Sequence, residues 1–168
     1  MKYGKFASFE AFIDSYNLQD NQKKAFEISS LSREEQLVFI QSIKNKDVVE
    51  VISISKKHNP DEPGAGGEIH YQIIVELTEI KSTYPDIEAD MNRCLQDKAP
   101  VFVAVRYGDK MGISQPIQQG LDEGNVLHIK GVWIPEDKAY SHGGEKMSVL
   151  HFTHHPVGFI CTPEKCYQ

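Results

Sequence analysis

The stretch Gly120–Ile134, with the sequence GLDEGNVLHIKGVWI, carries the pattern that decides the fold. Its first six residues include two glycines, two carboxylates and one asparagine, and these residue types favour tight turns. From Leu127 to Lys130, apolar and polar residues alternate, as they do in a strand with one buried face. The stretch therefore predicts a turn followed at once by a strand over Val126–Ile134.

Other segments rich in β-branched and aromatic residues have the same character. The predicted strands are Val48–Ser55, Ile69–Leu77, Val101–Tyr107, Val126–Ile134 and Ser148–His155, with turn-forming clusters such as Asn59–Gly67 between most of them. A short amphipathic helix is predicted over Pro85–Lys98, and a single helical turn over Gln115–Leu121. Five strands in an open sheet would expose two edges, which closure into a barrel removes. Because helices do not alternate with the strands, a parallel βαβ sheet is disfavoured.

The first part of the chain differs in character and predicts helices. Ser8 precedes an apolar run with helical spacing, and Ser32–Glu35 has the form of a capping box. Such a segment is too short to hold a large core of its own. The sequence therefore predicts a mainly β protein (α+β overall), with a helical segment over 1–46 that packs on a β-barrel domain over 47–168.

Composition and charge limit the functional classes. The chain has 168 residues and a net charge of −6, so non-specific binding to duplex nucleic acid is disfavoured unless its few cations are clustered. No apolar run is long enough for a transmembrane helix, and the start lacks the apolar region of a secretory signal. Three cysteines, Cys94, Cys161 and Cys166, are an odd number, which favours a reducing, cytoplasmic location. Cys161 and Cys166 are close enough to pair or to bind a metal, but free thiols are the favoured interpretation.

The turn and strand of Gly120–Gly131 resemble those of many OB-fold proteins, in which an acidic-Gly turn leads into an alternating strand that ends in Lys-Gly. More narrowly, residues 48–168 resemble a small bacterial domain family of unknown function. Domains of that family end in an aromatic-Thr-His-His-Asp-Pro strand, a short Gly-containing tail and a terminal Tyr-Gln. The matching residues here are Phe152–Pro156, Gly158, Tyr167 and Gln168, with His70 on the second strand.

Two features depart from that family. No aspartate lies between His155 and Pro156, and the inserts at residues 79–99 and 135–147 are longer. The missing carboxylate puts any metal-binding or acid role of these histidines in doubt. The resemblance therefore implies an OB-type barrel, but no particular activity.

Histidines are concentrated near the end of the chain, where His142, His151, His154 and His155 lie. Since side chains alternate along a strand, His151, Thr153 and His155 are predicted to share one face. Imidazoles two residues apart on a strand can bind one metal ion, and His70 or His142 would add a third ligand. Such a site keeps the open position that catalytic zinc requires. The alternative is structural, with these rings stacked on aromatic side chains or hydrogen-bonded to carbonyl groups at the end of the barrel.

Phosphate chemistry without a metal is a second possibility. One histidine would act as a general base and another as a general acid, and Arg106 would hold the phosphate. OB barrels also bind ligands on an exposed sheet face, where aromatic rings stack on bases or sugars. The candidate rings are Tyr71, Phe102, Tyr107, Trp133 and Phe152, which a small barrel also needs for its core.

Three functions follow as hypotheses. The first is a ligand-binding module for single-stranded nucleic acid (an oligonucleotide) or a small phosphorylated ligand; its candidate residues are His70, Arg106, Trp133, His151, Thr153 and His155. The second is a metal-dependent hydrolase acting on phosphodiesters, with zinc held by His70, His142, His151 and His155. The third is a protein-interaction or structural domain that docks through its helical segment. No membrane partner is predicted, and whether the protein is an enzyme stays open.

Overall fold

The computed structural model describes residues 48–63, 69–108, 112–139, 141–142, 145–154 and 157–168. In these residues the chain forms an α-helix, α1 (Pro85–Asp97), and a short 3₁₀ helix (Glu136–Lys138). The strands are β1 (Val48–Pro63), β2 (Ile69–Ser82), β3 (Val101–Tyr107), β4 (Val126–Ile134), β5 (Ser141–His142), β6 (Glu145–Lys146), β7 (Ser148–His151), β8 (Phe159–Cys161) and β9 (Cys166–Tyr167).

Five of these strands close into a barrel. Their order is β1-β2-β3-β7-β4, and β4 returns to pair with β1. Neighbouring strands are antiparallel except β3 and β7, which run parallel. The closing pair joins Val48–Ile54 to Val126–Val132, so no edge remains between β1 and β4. The described part of the chain is therefore mainly β, and its barrel is of the OB type that the sequence predicts.

The core lies inside the barrel and follows from alternation along each strand. On β2 every second residue of Tyr71–Leu77 is buried, while the residues between them are half-buried. Two small serines of β1 also face inward. Ser53 donates a hydrogen bond to the carbonyl oxygen of Leu127 at 3.1 Å, and Ser55 donates to that of Leu121 at 2.6 Å. Both buried hydroxyls are thus satisfied without a polar partner from solvent.

Helix α1 closes the end of the barrel at which β3 begins. Pro85 stands in its first turn, where the missing backbone N–H costs nothing, and Lys98 ends it with a φ of 53°. The buried residues Ile87, Met91 and Cys94 recur at helical spacing and join the core. The apolar side chains of the helix therefore exclude solvent from this end of the barrel.

A loop over residues 112–121 closes the opposite end, where β3 terminates. Ile113, Ile117 and Leu121 from this loop belong to the same core cluster as the strands. The backbone N–H of Ile117 donates to the Tyr71 hydroxyl at 3.3 Å. Within the described residues, side chains of α1 and of this loop thus fill both ends of the barrel interior.

The fifth barrel strand ends at His151, so the predicted strand Ser148–His155 is wrong for residues 152–154. Phe152 takes a φ of +54°, which an extended strand does not allow. The carbonyl oxygen of His154 then accepts hydrogen bonds from two N–H groups, those of residues 157 and 158. The chain therefore turns out of the strand at the segment that carries the histidines.

We call residues 152–158 the histidine loop. After it, β8 returns to the edge of β4 that β7 has left, so that β4 pairs with β7 through Val132–Ile134 and with β8 through His128–Lys130. The histidine loop thus interrupts what would otherwise be one long strand against β4. The strand on which His151, Thr153 and His155 were predicted to alternate therefore ends at His151, and His155 lies outside the described residues.

Three other expectations differ from the structure. The first strand continues to Pro63, through residues that the sequence predicts as part of a loop, because β2 pairs with it as far as Ile69. The second strand continues to Ser82 for the same reason. No helical turn forms over Gln115–Leu121, where core contacts of the loop take its place. The predicted helical segment over 1–46 lies outside the described residues.

The last two strands form a hairpin that is covalently closed. Cys161 on β8 and Cys166 on β9 lie opposite each other and form a disulfide. The prediction of free thiols is therefore wrong for these two residues, since the hairpin turn brings them together. Cys94 is a free, buried thiol, and burial raises its pKa above the ordinary value. The odd cysteine count consequently gives no support to a reducing compartment.

Among the described residues, no helix has both the length and the apolar character needed to cross a bilayer.

Candidate functional site

The register of β2 and β3 places His70 and Arg106 side by side on the outside of the barrel. The two residues are directly opposite partners in this antiparallel pair, and Tyr71 and Val105, which follow and precede them, lie in the core. Opposite residues on one face have Cβ atoms about 5 Å apart. The side chains of His70 and Arg106 therefore extend from neighbouring positions on the outer face.

His151 reaches the same place from the other side of β3. Leu150 pairs with Val103 and is buried in the core, so the next residue, His151, points outward. The ring centroids of His70 and His151 are 6.1 Å apart, with an angle of 52° between the planes. Since β3 lies between their two strands, the rings approach each other across it. We call His70, Arg106, His151 and Thr153 the outer-face site.

Thr153 holds the histidine loop against β3. Its hydroxyl donates a hydrogen bond to the carbonyl oxygen of Ala104 at 3.0 Å, and its side chain is fully buried. The single proton of this hydroxyl is thereby used within the protein. Thr153 therefore positions the neighbouring groups of the site instead of offering a donor to a ligand.

Aromatic rings fix the orientation of His151. Its ring stacks on Phe152 with a centroid distance of 4.5 Å and an interplanar angle of 26°. Phe152 in turn meets His154 edge-on at 6.1 Å. Phe152 and His154 are buried, whereas His70 and His151 are half-exposed. The outer-face site thus presents two accessible imidazoles beside Arg106, whose residue is only 7 % exposed.

The adjoining part of the outer face is covered. Phe102 and Val149 pack there with Ile134, Ala139 and Met147, the last two contributed by the segment between β4 and β7. This insert covers part of the outer face and forms a second, smaller core there. On this side of the described structure, the part of the outer face that stays open to a ligand is therefore the part with the imidazoles of His70 and His151.

Trp133 lies apart from the outer-face site. Its residue is fully buried in the core, and its indole N–H donates to Asp90 Oδ2 at 2.9 Å. Of the other predicted stacking rings, Tyr71, Phe102 and Phe152 are also buried, and Tyr107 is half-buried and stacked on Tyr71. These rings fill the barrel or its outer cluster, so they do not form the open stacking surface that the sequence suggested.

Of the four histidines proposed as metal ligands, two have described side chains. The structure brings His70 and His151 together, while His155 and the side chain of His142 lie outside the described residues. Within the described part, no three His, Cys, Asp or Glu side chains form a group that could hold a metal ion. A zinc site with all four histidines stays a prediction.

A polar network that was not predicted lies where α1 meets the barrel. Asp90 accepts hydrogen bonds from three side chains: Trp133 Nε1 at 2.9 Å and Ser148 Oγ at 2.6 Å through Oδ2, and Arg93 through Oδ1 at 2.9 Å. Arg93 also forms an ion pair with Glu136 at 2.9 Å. The spacing held a signal, because Asp90 lies three residues after Ile87 and four before Cys94, on the apolar face of the helix.

Burial acts to raise the pKa of Asp90, but the hydrogen bonds from Ser148, Arg93 and Trp133 outweigh it and hold the pKa below its ordinary value. The carboxylate therefore stays ionised at the edge of the core. It anchors the helix to β4 and β7, and it is remote from the outer-face site, with which it shares no residue. We assign this network a structural role.

The described residues define the class of the fold, a closed β-barrel of the OB type, with two histidines and an arginine grouped on its outer face. Comparison of the chain with models of protein families, with curated proteins and with solved structures found no match.

Proposed function

We propose that the protein is a ligand-binding module whose outer-face site binds a phosphate group. The observation that carries this proposal is the convergence of His70, Arg106 and His151 from three adjacent strands. A guanidinium matches the geometry of phosphate oxygens and donates two parallel hydrogen bonds, and imidazole N–H groups add further donors. A half-buried position strengthens such bonds, because water competes less for the anion.

The phosphate belongs either to a small phosphorylated ligand or to single-stranded nucleic acid. With the candidate rings buried, base stacking contributes little, so an oligonucleotide would be held mainly through its backbone. Binding of that kind weakens steeply with salt. Fluorescence anisotropy with labelled oligonucleotides at two salt concentrations, beside NMR titration with inorganic phosphate and a mononucleotide, distinguishes the two sources. The absence of binding by all three probes at low salt would overturn the proposal.

Alanine at His70 or at His151 is expected to weaken phosphate binding by about tenfold each, since a hydrogen bond to a charged group contributes about 1.5–3 kcal/mol. His128 offers a matched control, because it is a half-buried histidine on the outside of β4, paired with Glu50 at 2.9 Å. His128→Ala should leave the affinity unchanged. Equal losses in all three variants would show that the effect does not come from the outer-face site. NMR titration with inorganic phosphate measures each affinity.

A metal-dependent hydrolase acting on phosphodiesters is the second candidate, and the 6.1 Å separation of the His70 and His151 rings supports it. In this proposal the two imidazoles bind zinc together with His142 or His155, and the metal supplies a nucleophilic water. Elemental analysis of protein purified without a histidine tag tests the idea. If no zinc copurifies, and added zinc neither raises the melting temperature nor shifts the histidine resonances, the hydrolase proposal fails.

We also infer a relationship to the small bacterial domain family with an aromatic-Thr-His-His-Asp-Pro strand. The terminal residues Phe152–Pro156 and Tyr167–Gln168 support it, as does the barrel itself. This resemblance suggests no activity beyond the two functions proposed above.

A further inference from the structure

A polar cleft separates the loop over residues 112–121 from the hairpin of β8 and β9. Its volume is about 410 Å³. It is lined by Gln115, Pro116, Gln118, Gln119, Glu164, Lys165 and Tyr167. None of these residues belongs to the outer-face site, so the cleft is a second candidate site with its own chemistry.

The wall formed by the hairpin is rigidly built. The disulfide between Cys161 and Cys166 closes its turn, and within the turn the hydroxyl of Thr162 accepts hydrogen bonds from the N–H groups of Glu164 at 3.3 Å and Lys165 at 3.2 Å. The turn is also fixed to the opposite wall, because Thr162 packs directly on Gly120. Glu164 and Lys165 are therefore presented to the cleft from a preorganised turn.

The charges of the cleft compensate each other. It contains one carboxylate and one ammonium group, and each binds an amide across the cleft: Gln119 donates to Glu164, and Lys165 donates to Gln115. The ammonium group of Lys165 also lies 5.2 Å from the centre of the Tyr167 ring. A charged ligand gains no net attraction from such a lining, whereas a neutral ligand meets no repulsion.

The remaining chemistry favours hydroxyl groups. Each glutamine amide both donates and accepts hydrogen bonds, and a sugar hydroxyl does the same. The half-buried ring of Tyr167 offers an apolar surface to the C–H face of a pyranose ring. A volume of about 410 Å³ lies within the usual range for small-ligand pockets. We propose that this cleft binds a neutral saccharide, with the disulfide-closed hairpin as its fixed wall.

Two neutral disaccharides, cellobiose and maltose, are the probes for the test. In ¹⁵N–¹H NMR titrations at millimolar concentration, at least one of them should bind saturably and shift the amides of residues 115–119 and 164–167. Tyr167→Ala and Gln118→Ala should each weaken that binding by about threefold to tenfold. Gln118 is exposed, so its variant tests the site without a loss of core packing. His151→Ala is the matched control and should leave saccharide binding unchanged.

The double substitution Cys161→Ser and Cys166→Ser tests the role of the fixed wall. It should weaken saccharide binding at least as much as Gln118→Ala, while circular dichroism still reports the folded barrel. If neither disaccharide binds saturably, or if binding is the same in Tyr167→Ala, Gln118→Ala and the wild type, the proposal is overturned. Phosphate binding at the outer-face site depends on other residues and another probe, so either proposal can fail without the other.

Discussion

Asp90→Ala is expected to lower the free energy of unfolding by about 2–3 kcal/mol, because it leaves buried donors without an acceptor. The indole N–H of the fully buried Trp133 and the hydroxyl of the buried Ser148 both donate to this carboxylate. The substitution also leaves Arg93 with only Glu136 as an acidic partner among the contacts described here. Urea unfolding followed by tryptophan fluorescence measures the change, since the only tryptophan of the chain is at the network itself.

Asp97→Ala is the matched control, because Asp97 is an exposed aspartate at the end of the same helix. Its removal should change the free energy of unfolding by less than about 0.5 kcal/mol. A loss of similar size in both variants would mean that helix propensity or net charge, and not the network, is responsible. If Asp90→Ala is as stable as the wild type, the anchoring role of Asp90 is wrong.

The lowered pKa of Asp90 also predicts a pH dependence. A carboxyl group whose pKa is lower in the folded state gives stability that is fully present above its unfolded pKa of about 3.9 and is lost as the pH falls through the folded pKa. We therefore expect the wild type to lose stability in this acidic window more steeply than Asp90→Asn, which has no proton to gain. Unfolding curves at several pH values below about 5 compare the two proteins.

The local sequence was sufficient to predict the bounds of an element when residues that start or stop it lie at both ends. The bounds of β3 and β4 agree with prediction, because glycine or proline residues flank runs rich in β-branched and aromatic residues. The short helix predicted over Pro85–Lys98 forms over Pro85–Asp97, since proline starts it and the apolar spacing is helical. In these segments the local preference and the final fold agree.

The end of β7 could not be predicted locally. Residues 148–155 alternate well enough for a strand, and Phe152 is a residue type that strands favour. The left-handed conformation of Phe152 is imposed by tertiary packing of the histidine loop against β4. Alternation therefore placed His151 correctly on the outside, but it did not predict that the strand ends there and that Phe152 turns out of it.

Four of the six residues predicted to bind a ligand, His70, Arg106, His151 and Thr153, lie in the outer-face site, but the sequence did not predict how they come together. His70 and His151 are 81 positions apart in the chain. Their approach across β3 depends on the strand order β2-β3-β7, which places a parallel pair in the barrel. Nothing in the local sequence encodes that order. The burial of Trp133 likewise depends on how α1 packs at the end of the barrel. That packing brings Asp90 of the helix to the indole N–H of Trp133.

Gly158→Ala is expected to have the largest effect, a loss of about 3 kcal/mol or more in the free energy of unfolding. A Cβ atom at this position would lie 2.0 Å from the carbonyl oxygen of Lys130, 2.7 Å from its carbon and 3.0 Å from the carbonyl oxygen of Phe152. All three atoms belong to the backbone, so no side chain can rotate away. The histidine loop would have to separate from β4, and the pairing of Lys130 with Phe159 would be lost.

Gly124→Ala separates this steric effect from conformational strain. Gly124 has a φ of +93°, but a Cβ atom there would meet no other atom within 4 Å. Its substitution should therefore cost only the strain of a left-handed residue, about 1–2 kcal/mol.

Because the histidine loop holds Thr153 on β3 beside His151, Gly158→Ala should also weaken phosphate binding under conditions in which the barrel is still folded, and Gly124→Ala should not. Chemical unfolding and phosphate titration of the two variants measure both effects. If Gly158→Ala is no less stable than Gly124→Ala, the close packing of the histidine loop on β4 is wrong; if it is less stable but binds phosphate normally, the loop does not position the outer-face site.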